Sequence, residues 1–205
     1  MYPLFYQDNL PHLFIYFTAD GYQSTGCYNL TCGAFVQTSN VLAIGGALSS
    51  STFNGPQVEG TLAVYRDPAT GNWILFYMDA NGNYYQSGYY PAALYGSGQL
   101  SQYSTYIKFG GEVALDPNYP SVYPQMGSGS NPFFNSIGYG QVAYQRNIKY
   151  LDLNSQIQDL APNMRINSTV MCAYDVELTY GASGYGAQPT WGTSIFFGGT
   201  GICGS

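Results

Sequence analysis

Residues 58–90, VEGTLAVYRDPATGNWILFYMDANGNYYQSGYY, decide the fold. Val58 to Arg66 alternates in character, the period of a strand with one buried face. Asp67-Pro68-Ala69-Thr70-Gly71-Asn72 is a turn sequence, and Trp73 to Met78 returns from it, so the pair reads as a β-hairpin. Asn81-Gly82 marks the next reversal, and Tyr84 to Tyr90 a third strand. Strands joined by such short turns are antiparallel neighbours, because a parallel connection needs a crossover of a dozen or more residues.

The same signals continue on both sides. His12 to Thr18, HLFIYFT, is β-branched and aromatic and reads as a buried strand; Ala34 to Gln37 is a short one, and Val41 to Leu48 another apolar stretch. Ala92 to Tyr95 reads as a helical turn. Gly140 to Tyr150 is a long strand candidate, Asn154 to Leu160 a loop, and Trp191 to Phe197 the last strand. Val170 to Tyr180 alternates, with Tyr174, Val176, Leu178 and Tyr180 on one face. Asp175, Glu177 and Thr179 take the other, which makes Glu177 a solvated strand residue. About ten strands with turn signals every 8–12 residues imply an all-β, antiparallel sandwich or barrel. No internal repeat or linker interrupts the chain, so residues 1–205 read as a single domain.

Composition excludes several functions. Charged residues are 8% of the 205, against roughly 25% in ordinary soluble domains. The net charge is −6 with only five Lys and Arg, so no basic patch can form and nucleic acid is excluded as a partner. No apolar run reaches the ~18 residues of a membrane span. Met1-Tyr2-Pro3-Leu4 lacks the charged and apolar regions of a signal peptide, so the chain reads as a mature form, a fragment or an incomplete gene model. The 22 tyrosines offer amphipathic rings that suit peptide or sugar. Cys27, Cys32, Cys172 and Cys203 are even in number, without a C-x-x-C, and His12 is the only histidine; a Cys/His zinc site is not expected, and no cofactor is implied. Asn29-Leu30-Thr31 and Asn167-Ser168-Thr169 are glycosylation sequons. Low charge, sequons and cysteine parity together point to a secreted protein with two disulfides.

The chemistry-bearing stretch is 108–129, KFGGEVALDPNYPSVYPQMGSG. It holds Glu112, one of three glutamates with Glu59 and Glu177. Two glycines before Glu112 allow close approach of backbone or ligand. Val113 and Leu115 alternate with Glu112 as on a half-buried strand, which ends at Asp116-Pro117-Asn118. Two readings stand: a solvated glutamate on a polar strand face, or a carboxylate placed for chemistry. A Ser-His-Asp or Cys-His triad would have to use His12, which sits at the edge of a strand with no G-x-S-x-G elbow; a hydrogen-bonded structural histidine is expected. No phosphate loop or EF-hand spacing occurs. What remains is carboxylate catalysis, in which one group activates water while the other, held protonated, polarises a carbonyl. Glu59 reads as an outward residue at the start of a strand.

Several blocks together resemble the neprosin family. HLFIYFTADGYQSTGCYNLTCGAFVQT (12–38) resembles its LF-YWT-DGYQ-TGCYNL-C-GFVQ block, and DPATGNW (67–73) its KDP-TGNWWL. GYYP (88–91), FGGEV (109–113), QMGSG (125–129), GYGQVAYQRNI (138–148), CAYD (172–175) and GTSIFFGGTGIC follow in the family's order. The resemblance implies a secreted β-sandwich of two packed antiparallel sheets and a glutamic peptidase that cleaves after proline in acid, with a proline-rich peptide or protein as substrate. It implies Glu112 as one catalytic glutamate, and the pairings Cys27–Cys32 and Cys172–Cys203. Gln125 and Ser128 are oxyanion or substrate contacts under this reading, and ordinary turn residues under the other. The family's other catalytic glutamate lies in an E-A-G-W type motif just upstream of a segment that resembles Tyr2 to Asp8. On that alignment it falls before Met1, and the isolated chain is expected to be inactive or weakly active. The competing expectation is a non-catalytic secreted sandwich that binds cell-wall polysaccharide or peptide through aromatic rings.

Overall fold

A computed structural model of the chain describes residues 3–79, 81–114, 118, 123–132, 137–160, 168, 170–181 and 185–203. The chain is all-β: every ladder among the described residues is antiparallel, and the single α-helix there, α1 (Pro3–Tyr6), has four residues. Two compact units make it up, Met1–Ser51 with Gln57–Tyr106, and Thr52–Pro56 with Ile107–Ser205.

In the first unit β1 (Tyr16–Phe17) pairs with β2 (Cys27–Tyr28). β3 (Val36–Gln37), β4 (Thr61–Arg66), β5 (Trp73–Met78) and β6 (Tyr84–Tyr90) form one sheet in the order β3-β6-β5-β4. The two turns read from residues 58–90 are where expected. Asp67 closes the first by accepting the Ala69 and Thr70 amides, and Asp79 closes the second by accepting those of Asn81 and Asn83. The β5–β6 register shifts between Leu75 and Phe76, leaving Ser87 opposite no partner. Next to it Gly88 pairs with Gln37, and a Cβ there would stand 2.2 Å from the Val36 carbonyl and 2.4 Å from the Phe35 ring, so only glycine lets β3 join. Leu13, Phe35, Ile44 and Leu75 form this unit's core, with Ile15, Leu42 and Tyr90 against them. Each such side chain contributes about 1.5–3 kcal/mol of transfer free energy. The expected strand His12–Thr18 is laddered only at Tyr16–Phe17, with a lone bridge from His12 to Ala47. Asn29 replaces the ladder at Ile15: its amide donates to the Ile15 carbonyl at 2.8 Å, and its Oδ1 accepts the Ile15 N–H at 3.2 Å. Ala92–Tyr95 is a 3-10 turn, as its sequence suggests.

In the second unit β7 (Ala143–Gln145), β8 (Lys149–Leu151), β9 (Ile157–Asp159), β10 (Asp175–Tyr180) and β11 (Thr193–Gly198) form a three-stranded sheet, β10-β11-β7, and the hairpin β8-β9. The long strand expected over 140–150 is broken. Asn147 takes φ 53°, its N–H turns to the Trp191 carbonyl, and the chain leaves the sheet for β8. The expected loop 154–160 contains β9 instead. Asp152 builds the connecting turn by accepting from the Asn154 and Gln156 amides and the Gln158 side chain. Three residues of mixed polarity carry too short a period to announce a strand. The core gathers Val142, Tyr185, Ala187, Trp191 and Phe196, with Tyr144 stacked on Trp191. Cys27 bonds Cys32 and Cys172 bonds Cys203, the pairings the resemblance implied.

Candidate active site

β11 runs between β10 and β7, and its register sorts side chains onto two faces. Phe196 lies opposite Glu177 and Tyr144, and Ser194 opposite Thr179. Phe197 lies opposite Val176 and Ala143, and Ile195 opposite Leu178 and Gln145. Phe196, Ser194 and Thr179 are buried, so the face expected to be solvated packs inward. Glu177 is correspondingly half-buried, which corrects the solvated placement. The Tyr185 hydroxyl hydrogen-bonds it; burial first and the Glu177 charge second push that phenol up to about 12. The polar residues of this strand mark an inner face because Phe196 and Tyr185 supply the apolar partners.

The Glu112 segment meets the other face. A Cβ on Gly111 would stand 2.5 Å from Met126 Sδ and 2.7 Å from the Phe197 ring. The glycine pair therefore does what close approach requires: it lets the backbone lie flat on that thioether and ring. The Gln145 side chain donates to the Gly110 carbonyl at 3.4 Å. Glu112 itself is exposed, beyond this anchor. Gly110 to Ala114 forms no strand, which corrects the strand expected from Glu112; its continuation at Leu115 to Pro117 lies outside the described residues.

The QMGSG turn reaches the same patch. The Met126 N–H donates to the Gly199 carbonyl at 3.0 Å, and the Gly129 N–H closes the turn on the Met126 carbonyl. Gly127 lies on Ala143, and the Tyr174 hydroxyl donates to the Pro124 carbonyl at 2.6 Å. The Cys172–Cys203 bond ties the chain just before β10 to the chain just after β11, the strands that carry this patch. Gln125 is exposed, with its amide against Gly129. The Ser128 hydroxyl donates to the Gln141 carbonyl and accepts the Ser130 N–H, so its proton is held within the turn. Glu112 and the turn thus converge on Met126 and Phe197, whereas Glu177 lies on the opposite face of the sheet. Glu59 is exposed just before β4, in the first unit.

The neprosin family model matches residues 1–200. The chain belongs to the neprosin family. This is a family with proline-specific endopeptidase activity. Seen as a neprosin, the chain presents its FGGEV and QMGSG blocks as two halves of one surface, though they are separated in sequence.

The remaining residues singled out by sequence take other places. His12 is the structural histidine expected: its Nδ1 faces the Gly45 carbonyl and its Nε2 the Asp8 carboxylate, each at 2.9 Å. Asn29 is buried, and its Nδ2 donates to the Tyr6 hydroxyl at 2.9 Å, so its side-chain amide is engaged at both ends. Asn167 lies outside the described residues. Asp20 accepts the Ser24 and Thr25 amides and hydroxyls, and these bonds, Ser24's hydroxyl foremost, hold its carboxyl far below the usual range. Among the described residues no three His, Cys, Asp or Glu side chains gather as a metal-binding group, and no helix is long and apolar enough to cross a membrane. Sequence reading missed Gln145 and Phe197 as partners of the Glu112 segment; both lie in resemblance blocks, but nothing local signals a contact that long-range sheet register creates.

Proposed function

We propose that the chain is the catalytic domain of a secreted glutamic endopeptidase that cleaves peptides after proline in acid, with Glu112 as one of its two carboxylates. The observation that carries the reading is the placement of Glu112: an exposed carboxylate one residue beyond a glycine seated on Met126 and Phe197, beside the QMGSG turn. A carboxylate held by its backbone and open to solvent can orient water toward a scissile carbonyl. Gln125 is the better oxyanion donor of the two turn side chains, because the Ser128 proton already serves Gln141. Glu177, on the far face with Tyr185, is not the second carboxylate. By resemblance that group belongs to the strand of the E-A-G-W type motif, ahead of the segment that resembles Tyr2 to Asp8. The four carboxylates that close surface turns, Asp20, Asp67, Asp79 and Asp152, are all held below their ordinary pKa by hydrogen bonds, which keeps those turns intact in the acid such a reaction needs.

The test is digestion of proline-containing peptides at about pH 4 by the full translation product, with product ends read by mass spectrometry. New C-termini at proline support the reading; folded, disulfide-bonded protein that leaves every peptide intact overturns it.

A second reading rests on a row of rings in the first unit. Phe5, Phe14, Tyr22 and Tyr28 are exposed, and Tyr28 lies 5.7 Å from Phe5, 6.4 Å from Phe14 and 4.7 Å from Tyr16. Such a row suits a non-catalytic module that stacks on cell-wall sugar or peptide. Retention on insoluble polysaccharide, lost in Tyr28→Ala, would favour it.

A further inference from the structure

A small cluster fastens the residues before the HLFIYFT block to the first unit. The Tyr6 ring stacks on the His12 imidazole with centroids 3.8 Å apart and planes parallel. The Tyr6 hydroxyl accepts the Asn29 Nδ2–H at 2.9 Å. His12 Nε2 lies 2.9 Å and 3.1 Å from the two oxygens of Asp8, and Nδ1 lies 2.9 Å from the Gly45 carbonyl. The His12 side chain is 8% exposed and that of Asp8 37%.

Both ring nitrogens of His12 face oxygens that can only accept. A neutral imidazole has one N–H and one lone pair, so it would set that lone pair against either the carboxylate or the carbonyl. The imidazolium satisfies both, and its charge is further favoured by the face of the Tyr6 ring. We propose that His12 is a protonation latch: charged, it clamps the 3–8 segment onto the 12–47 core of the first unit, and on losing its proton it releases that segment.

The groups that face His12 set the direction. The Asp8 carboxylate, then the Gly45 carbonyl, raise its affinity for the proton; burial opposes them, and the balance is a pKa raised from the ordinary histidine value. Asp8 is shifted the other way, below 3.8, first by His12 and then by the Leu10 amide. A histidine raised in the folded state contributes stability that is complete below its unfolded pKa and is lost as pH rises through the folded one. Asp8 contributes above its unfolded value and fails only in stronger acid. The latch is therefore closed in mild acid and opens as pH rises through the raised His12 pKa. Asn29 belongs to it, since a glycan on Nδ2 would take the place of the Tyr6 hydroxyl. The latch stands apart from the peptidase reading and survives if that reading fails.

A single histidine in 205 residues makes the test clean. The His12 pKa is read by NMR of histidine-labelled protein, and protection of peptides covering residues 3–12 by hydrogen exchange from about pH 5 to 9, corrected for intrinsic rates. The expected result is a His12 pKa above about 6.5, with protection falling as pH rises through it by a factor of ten for each unit of the measured shift. His12→Gln and Asp8→Asn should each remove the pH step while peptides from β4–β6 stay protected. A His12 pKa at or below 6.5, or the same pH step in both variants, overturns the proposal. Should either variant fail to fold, the pKa and the wild-type step still decide it.

Discussion

Replacing Gly111 by alanine tests the anchoring of Glu112. The added methyl would stand 2.5 Å from Met126 Sδ and 2.7 and 2.8 Å from two Phe197 ring atoms. Ordinary contact is about 3.5–4.0 Å, so the backbone or its neighbours must give by about 1 Å. Overpacking of this kind costs about 1–3 kcal/mol, or roughly 3–9 °C in melting temperature for a chain of this size. Met126 is flexible and can absorb part of the strain, which places the stability cost toward the lower end. Activity should suffer more, because a displacement of about 1 Å at a reacting group costs on the order of a hundredfold in rate. The assay pairs urea unfolding with kcat/KM on a proline-containing peptide, using the full translation product. Gly111→Ala/Met126→Ala should recover part of both losses, since one of the two clashes is gone. If Gly111→Ala leaves the urea midpoint and the rate unchanged, the 110–112 backbone does not rest on Phe197, and the placement of Glu112 falls with it.

The other expectations are independent of one another. Phe196 is fully buried between Tyr185 and Trp191, so Phe196→Ala should lower unfolding free energy by about 3–5 kcal/mol in a denaturant titration. Loop closure makes the two disulfides unequal: with separations of 31 and 5 residues, removing Cys172–Cys203 should cost about 3.7 kcal/mol and removing Cys27–Cys32 about 2. Paired Cys→Ala variants compared by calorimetry check the order. Asp20 is held well below the usual carboxylate range, so its contribution is present above about pH 4 and is lost as pH falls through its folded value. Asp20→Asn should therefore be less stable than the parent near neutrality, with the gap narrowing below about pH 4. Gln125→Ala should cut the rate by about ten- to a hundredfold at constant stability, whereas Ser128→Ala should act on the melting temperature, because its hydroxyl bridges Gln141 and Ser130.

The hairpins of residues 58–90 were legible because their information is local. Asp67 and Asp79 sit where the turns need acceptors, within a few residues of the amides they bind. The misread segments depend on partners distant in sequence. Asn147 reverses its strand because the Trp191 carbonyl waits 44 positions later, and Ile15 leaves its ladder because Asn29 supplies both a donor and an acceptor. Glu177 looked solvated because alternation says which residues share a face, and not which face turns inward; Phe196 and Tyr185 decide that. For the candidate site, the glycine pair and QMGSG were visible as separate signals. Their meeting at Met126 and Phe197 is a product of the β7–β11 register, which no local pattern encodes.

The measurement that bears most directly on the whole reading is cleavage of a quenched proline-containing peptide by the full translation product between about pH 3 and 7, beside Glu112→Gln. The expected result is activity confined to acid, with the variant folded and its rate reduced by about 10²–10⁴-fold. Undiminished cleavage by a folded Glu112→Gln protein would contradict the assignment of Glu112.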